Sequence, residues 1–205
     1  MASHRPANLA DLPQIRAINT HYILHTSLTF MQAPPALHSY TAKWHDLMKR
    51  GLPYLVAVDS SHKTGEGLDL VLGYAYLSPF RGHLVSYAPT VELSLFVHPD
   101  YQSRSVGSNL LGALLRMVRA GDISNYCEEL QHIPNATDSN QPGTDAIQVR
   151  SIIAVMAVDP EGKDGGDALR RWYIQRGFVE RGRMVEVGFK RGHWIDTIYL
   201  QYSSA

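Results

Sequence analysis

The stretch 90–115 constrains the fold of this chain more than any other segment. Thr90–Val97 reads TVELSLFV, a run of apolar and β-branched residues that is typical of a buried strand. Apolar residues recur at helical spacing over 106–119, and a short polar loop, 102–107, joins the two patterns. A strand that feeds such a loop and helix predicts an α/β protein. Unpaired N–H groups at the helix start favour an anion, although every helix that follows a polar loop has them.

The other patterns place helices and strands around this segment. Apolar residues at spacings of three and four follow a candidate N-cap, Asn8, and predict a first helix. Strand-like runs at 54–58 and 68–77 are separated by a polar turn and predict a hairpin. The remaining predictions are helices at 40–49 and 168–175 and strands at 147–158, 178–187 and 197–202. This order, without an internal repeat, predicts a mixed α/β sheet covered by helices.

The composition excludes several classes of protein. Of the 205 residues, 44% are hydrophobic, which allows a sizeable core and is not typical of a disordered chain. With 19 basic and 19 acidic residues, the chain lacks the basic surplus that non-specific nucleic-acid binding needs. One cysteine, Cys127, excludes an internal disulfide and a Cys-rich zinc site. Without a signal-peptide pattern or an apolar run of about 18 residues, we expect a cytoplasmic protein with no nucleic-acid or membrane partner.

A polar segment interrupts these patterns at about 121–145. Asn, Asp, Ser, Gln, Pro and Gly dominate there, and the sequence has no hydrophobic periodicity. Such a composition cannot contribute much to a core. We therefore predict an exposed, flexible insert within a single domain that spans residues 1–205.

The loop before the long helix is similar to a known motif. Gln102-Ser103-Arg104-Ser105-Val106-Gly107 resembles the acetyl-CoA loop of the GNAT N-acetyltransferases, whose pattern is Gln/Arg-x-x-Gly-x-Gly/Ala. Outside the insert, nearly the whole chain resembles one branch, the phosphinothricin or methionine sulfoximine acetyltransferases. The stretches that carry this resemblance include Thr29-Phe30, Pro79-Phe80-Arg81, Thr90-Val91-Glu92, Val97-His98-Pro99-Asp100, Gly177-Phe178, Val187-Gly188-Phe189-Lys190 and Trp194-Ile195-Asp196.

The resemblance implies a fold and a reaction. The expected fold is a single GNAT domain, with a mixed, mostly antiparallel sheet that splays at its centre and helices on both faces. The expected activity is transfer of an acetyl group from acetyl-CoA to the amine of a small amino acid or analogue. Phosphinothricin, methionine sulfoximine and methionine sulfone are the expected kinds of acceptor. Attack would be direct, in a ternary complex, and the enzyme would be a homodimer without a metal.

The resemblance also assigns the acetyl-CoA site. The strand residues Leu93, Ser94, Leu95 and Val97 would hold the acetyl carbonyl and pantetheine. The loop and helix start would hold the pyrophosphate through Gln102, Ser103, Arg104, Ser105, Val106, Gly107 and Ser108. Two features of this acetyl-CoA site depart from the family. Ser105 stands where the family usually has its first glycine, which permits a positive φ, and residues 159–167 replace a shorter loop.

Two residues are candidates for proton transfer. An alkylamine is mostly protonated at pH 7, so a base must take its proton before it can attack a thioester. Glu92 lies within an otherwise apolar strand, where a carboxylate is costly unless it has a purpose. The alternation of the strand also allows Glu92 to be an outward-facing polar residue. Tyr173 matches the position from which GNAT enzymes present a phenol to the CoA thiolate, or it is a packed aromatic residue beside Trp172.

The resemblance further places an acceptor site. Arg81, after Phe80, matches the substrate loop of the family, and a cation there would bind a substrate carboxylate or phosphinate. Thr90, Val91 and Glu92 would form the adjacent wall. Lys190 and His193 are further candidates, although surface cations are usually only solvated.

Two alternative functions stay open. The first is a GNAT enzyme for another amine, such as a polyamine, an aminoglycoside or a peptide N-terminus; a peptide needs an open groove, whereas an amino acid needs a closed pocket. The second is an inactive, acyl-CoA-binding regulatory domain. Ser105 and the altered loop at 159–167 favour this second alternative, whereas Glu92 and Tyr173 argue against it.

Overall fold

The computed structural model describes residues 3–82, 84–126 and 146–204. The α-helices are α1 (Leu12–His25), α2 (Leu37–Lys49), α3 (Val106–Ala120) and α4 (Asp167–Ile174). The strands are β1 (Ser3–Pro6), β2 (Tyr54–Lys63), β3 (Asp69–Pro79), β4 (Thr90–Val97), β5 (Ser124–Tyr126), β6 (Ala146–Gln148), β7 (Ser151–Ala157), β8 (Val179–Lys190) and β9 (His193–Ser203). Among these residues, no helix is both long and apolar enough to cross a membrane.

Seven of the strands form one mixed sheet. Their order is β1-β2-β3-β4-β7-β9-β8, and neighbouring strands are antiparallel except β4 and β7. The parallel pair has only three register partners, from Thr90 opposite Ser151 to Glu92 opposite Ile153, and then diverges. The predicted mixed, mostly antiparallel sheet with a central splay is therefore confirmed.

Helices cover both faces of this sheet. The Tyr22 ring of α1 lies 5.0 Å from the Phe96 ring of β4. On α3, a Cβ atom added to Gly107 would lie 3.4 Å from side-chain atoms of both Leu95 and Val97. Because successive side chains of a strand point to opposite faces, α1 and α3 pack on opposite sides of β4.

The helix that the sequence predicts after the polar loop forms as expected. The buried residues of α3 include every member of the predicted apolar stripe, and α3 packs on β2, β3 and β4. Gly121 ends the helix in the left-handed conformation, with φ of +74°, which glycine adopts without steric cost. The stripe is Val106, Leu110, Leu111, Leu114, Leu115 and Val118.

Several element bounds differ from the predictions. The strand predicted at 147–158 is two strands, β6 and β7, because the backbone N–H groups of Arg150 and Ser151 both donate to the carbonyl of Pro89. The sequence does not predict the N-terminal β1, because this strand has no apolar alternation. It is an edge strand that forms through its pairing with β2. Both β8 and β9 extend beyond the predicted strands and meet in a hairpin.

The start of the predicted insert belongs to the folded part of the chain. Residues 121–126 are not an exposed loop, because Ile123 and Asn125 are each only 1% exposed and β5 pairs with β6. The carbonyl of Ala88 accepts a hydrogen bond from the Asn125 side chain at 3.2 Å. The rest of the predicted insert, 127–145, lies outside the described residues.

Gly73 on β3 offers a test of the packing between the sheet and α3. A Cβ atom there would lie 2.9 Å from the carbonyl oxygen of Phe96 and 3.1 Å from Cγ1 of Val106. Because the backbone of β4 cannot move without disturbing the ladder, we expect Gly73→Ala to lower the free energy of unfolding by about 1–3 kcal/mol. Urea denaturation measures this. The control is Gly65→Ala, where nothing lies within 4 Å; equal midpoints for the two variants would contradict the packing.

Candidate active site

The divergence of β4 and β7 opens a cavity of about 650 Å³, here called the splay cavity. One wall is the part of β4 that has no partner in β7, residues 93–97, and the other is Val155, Met156 and Ala157 of β7. The backbone groups on that edge of β4 are therefore available to a ligand. A chain of amide and thioester groups such as pantetheine needs donors and acceptors of this kind. The edge thus fits the predicted acetyl-CoA site.

The loop before α3 closes one end of the splay cavity. Both Ser103 and Ser105 adopt positive φ, of +60° and +61°, so each serine is in the left-handed region that favours glycine. The Ser105 hydroxyl makes no capping hydrogen bond to α3. Six of the predicted loop residues line this cavity, namely Gln102, Ser103, Ser105, Val106, Gly107 and Ser108.

The remaining loop residue, Arg104, does not itself line the splay cavity. Its guanidinium carbon lies 5.0 Å from the centre of the ring of Tyr101, which does line it. A cation that sequence reasoning missed is Lys163, which lines the opposite side of the cavity together with Gly162 and Gly166. Lys163 belongs to the loop at 159–167, which departs from the family pattern. The glycines of this loop are the only sequence feature that points to a ligand-binding loop.

Gln102 has a structural contact that its motif does not reveal. Its amide donates a hydrogen bond to the Tyr22 hydroxyl at 2.9 Å, and that hydroxyl donates to the carbonyl of Val97 at 2.6 Å. These two bonds join the loop, α1 and the open edge of β4. Burial raises the pKa of Tyr22, so the phenol stays protonated and can donate at neutral pH.

Glu92 lies where β4 and β7 part. Its side chain is half-buried and lines the splay cavity. Burial raises the pKa of the Glu92 carboxyl, and the Lys43 ammonium of α2 opposes this shift. Within the described part of the chain, no group donates a hydrogen bond to this carboxylate. A desolvated carboxylate without a donor is suited to accept a proton.

Tyr173 of α4 lines the same cavity. The residue is 8% exposed and packs edge-on against Phe178, with the ring centres 5.2 Å apart. Burial raises the pKa of Tyr173 to about 12, which keeps the phenol protonated at neutral pH. Its hydroxyl has no hydrogen-bond partner in the described ranges. The residue is therefore both a packed aromatic and an available proton donor.

The predicted acceptor residues do not all come together. Phe80 and Thr90 line a second cavity of about 470 Å³, and Arg81 is not among its lining residues. Arg81 is exposed in a turn, with φ of +58°. The Val91 side chain is completely buried in the core. The residues that line the second cavity are Phe80, Tyr87, Thr90, Ile153, Arg181, Gly182, Arg183, Met184, Tyr199, Leu200 and Gln201.

The other two predicted cations lie on the β8–β9 hairpin and line neither cavity. Lys190 is 3% exposed, and its ammonium donates to the carbonyl of Thr29 at 2.6 Å. His193 is exposed at the start of β9. Lys190 thereby positions a loop rather than presenting a charge to either cavity.

That loop contributes residues that sequence reasoning did not assign to the site. Leu28, Thr29 and Phe30 line the splay cavity. The Phe30 ring lies so closely against Gly188 of β8 that it leaves no room for a Cβ atom there. The sequence marked Thr29-Phe30 and Gly188 only as parts of a resemblance, because their contact joins residues about 160 positions apart.

Ser105 allows a test of the loop. Because its φ is positive, we expect Ser105→Gly to relieve about 1 kcal/mol of backbone strain and to bind CoA equally well or more tightly. Isothermal titration calorimetry with CoA measures this affinity. Ser105→Ala is the matched control, since it keeps the Cβ atom and removes the hydroxyl. A large loss of affinity in both variants would show instead that the hydroxyl itself holds the phosphate.

Comparison with solved structures agrees with this geometry. A phosphinothricin acetyltransferase from Sinorhizobium meliloti in complex with acetyl-CoA has a TM-score of 0.74 and is 26% identical; the match covers 100% of this chain and 89% of that one. An acetyltransferase from Salmonella typhimurium, also solved with acetyl-CoA, has a TM-score of 0.74 at 23% identity, over 100% and 95% of the two chains. Both of these structures contain acetyl-CoA, which is the co-substrate.

Comparison with characterised proteins gives the family. A phosphinothricin N-acetyltransferase from Alcaligenes faecalis is 30% identical over 191 residues, which are 93% of this chain and 77% of that one. An L-methionine sulfoximine/L-methionine sulfone acetyltransferase from Pseudomonas aeruginosa is 29% identical over 98% of this chain and 93% of its own length. The model of the acetyltransferase (GNAT) family matches residues 20–140. The chain therefore belongs to the GNAT family of N-acetyltransferases.

Proposed function

We propose that the protein acetylates the α-amino group of a small amino acid or analogue whose side chain ends in an anionic or sulfone-like group. The observation that carries this proposal is the position of Glu92. Its desolvated carboxylate lines the splay cavity, and Thr90, two residues earlier on β4, lines the second cavity. A base between a cavity for the acetyl donor and a cavity for a small acceptor suits direct transfer.

Each step of the transfer has a group in this chain. Acetyl-CoA supplies the acetyl group as a thioester. Glu92 accepts a proton from the acceptor amine, directly or through a water, so that the nitrogen can form its bond to the acetyl carbon. The carbon–sulfur bond then breaks, and Tyr173 donates its proton to the leaving thiolate. The unpaired edge of β4 orients the acetyl group, and the reaction needs no covalent intermediate on the enzyme.

The wall of the second cavity favours an amino acid over other amines. Its described lining has no Asp or Glu and has two arginines, of which Arg183 pairs with Asp196 and Arg181 has no ion-pair partner among the described residues. A polyamine or an aminoglycoside carries several positive charges and would be repelled there. Retention of both Glu92 and Tyr173 in the splay cavity likewise favours an active enzyme over a binding domain without turnover.

The proposed function is tested by release of free thiol from acetyl-CoA against a panel of amines. The panel holds phosphinothricin, methionine sulfoximine, methionine sulfone, natural amino acids, spermidine and a short peptide. Turnover confined to the amino acids and their analogues supports the proposal. Turnover only with spermidine or the peptide keeps the reaction but overturns the acceptor, and CoA binding without any turnover overturns the enzymatic assignment of the site.

Glu92→Gln tests the base. We expect the variant to lose about 100-fold or more in kcat at pH 7, with a smaller loss at high pH, where the amine deprotonates unaided. Because burial raises the pKa of Glu92, the wild-type rate should fall on acidification with a midpoint above the ordinary 4.5. The matched control is Glu66→Gln, at an exposed residue in the turn after β2. An equal loss at all pH values would exclude Glu92 as the base.

The proposal includes a homodimer and a cytoplasmic location. The β8–β9 hairpin exposes large apolar side chains, among them Val185 at 70% and Trp194 at 61%, and a second copy of the chain is their proposed cover. Sedimentation should then give about twice the mass of one 22.9 kDa chain, and Val185→Asp should shift it towards the monomer. The control is Leu9→Asp, at an exposed apolar residue outside the hairpin. A monomeric wild-type protein would contradict the dimer.

A further inference from the structure

The second cavity continues the face of the sheet that carries Glu92. Thr90 and Glu92 are two residues apart on β4, so their side chains point to the same face. Ile153, which also lines the second cavity, is the register partner of Glu92 on β7, and Gln201 is the partner of Ile153 on β9. Glu92, Ile153 and Gln201 thus form one row across the sheet. Glu92 itself lines only the splay cavity, but its neighbours Thr90 and Ile153 on the same face line the second cavity, so the two cavities adjoin at Glu92.

Arg181 is held at the far side of this row. Its Nε donates a hydrogen bond to Oε1 of Gln201 at 2.9 Å, and Nε2 of Gln201 donates to Oγ of Ser151 at 2.8 Å. Ser151 is in turn the register partner of Thr90. Arg181 is exposed, and this relay orients its guanidinium group. Its two terminal nitrogens have no hydrogen-bond or ion-pair partner among the described residues, so they remain available to a ligand.

The neighbouring arginine does not share this property. Arg183 forms an ion pair with Asp196, with Nε and Nη2 lying 2.7 Å and 2.6 Å from the same carboxylate oxygen. The carboxylate neutralises its charge. Of the two arginines that line the second cavity, Arg181 is therefore the one that supplies an uncompensated positive charge.

We propose that Arg181 is a specificity-determining residue that binds the anionic end of the acceptor's side chain while the acceptor's amine lies at Glu92. The inference rests on the proposed function. A guanidinium presents two parallel N–H groups to a carboxylate or phosphinate, whose oxygens accept both. A sulfone carries no net charge, so Arg181 forms no ion pair with it.

The spacing of the sheet limits the length of this acceptor. Because Arg181 reaches over β9 to Gln201, its head lies about two strand spacings, or about 10 Å, from the strand of Glu92. A contact of about 3 Å at each end leaves roughly 4 Å between the amine and the anion of the acceptor, and side-chain tilt adds a few ångströms. An amino acid with two methylene groups before its anionic group fits this separation. A longer diamine or a peptide does not.

The test is a binding comparison with two ligands of similar length and different charge. L-phosphinothricin carries an anionic phosphinate, and L-methionine sulfone is neutral at the same end. Isothermal titration calorimetry in the presence of CoA measures the affinity of the full chain for each ligand. We expect Arg181→Gln to weaken the binding of phosphinothricin about ten-fold or more and that of methionine sulfone by less than about two-fold. Arg181→Lys, which keeps the charge without the fork, should be intermediate.

The controls separate this inference from a general effect of charge. Arg116→Gln removes a positive charge from an exposed position on α3, on the opposite face of the sheet, and should change neither affinity. Unchanged phosphinothricin binding in Arg181→Gln, or an equal loss for both ligands, would overturn the inference. So would a wild-type protein that binds neither ligand. Discrimination by Arg181 without release of thiol in the acetylation assay would instead support the anion site and overturn the proposed transfer.

Discussion

The structure depends on the parting of two parallel strands. β4 and β7 pair over three residues and then diverge, so β4 keeps its partner in β3 but has none in β7 from Leu93 onward. An unpaired strand edge in the middle of a sheet is costly unless another group satisfies it. In this protein the unpaired edge of β4 lines a cavity of about 650 Å³, which fits an extended thioester ligand. The gap in the sheet is thus the source of the splay cavity.

The edges of the gap are held by contacts between side chains. Tyr22 connects α1 to the carbonyl of Val97 and accepts a hydrogen bond from Gln102. On the other side, Arg176 donates a hydrogen bond to Ser108 at 2.8 Å and stacks on Trp172, which ties the chain after α4 to α3. These contacts allow the strands to stay apart without the sheet losing its order. Gln102 and Ser108, which the motif marks as ligand-binding residues, therefore also have structural contacts.

Charge is divided between the two ends of the proposed acceptor site. At one end, the carboxylate of Glu92 is desolvated, and Lys43 is its nearby opposite charge. At the other end, two arginines line the second cavity, and no carboxylate is among its described lining residues. Asp196 neutralises Arg183, so Arg181 supplies the positive charge. A ligand with an amine at one end and an anion at the other matches this arrangement. The selection of acceptor then follows from where the two charges lie on one face of the sheet.

The sequence by itself determined the elements whose signals are local. The strand at Thr90–Val97 and the apolar stripe of α3 formed as predicted, and the loop between them carried the resemblance to the family, because periodicity and motifs depend on neighbouring residues. Only the tertiary structure decided which side chains meet across the sheet. Both arginines are exposed, but Arg81, a candidate from its motif, lines neither cavity, whereas Arg181, which no motif marks, lines the second cavity. Strand order and register set these positions, and they depend on pairings between distant segments that no local pattern encodes.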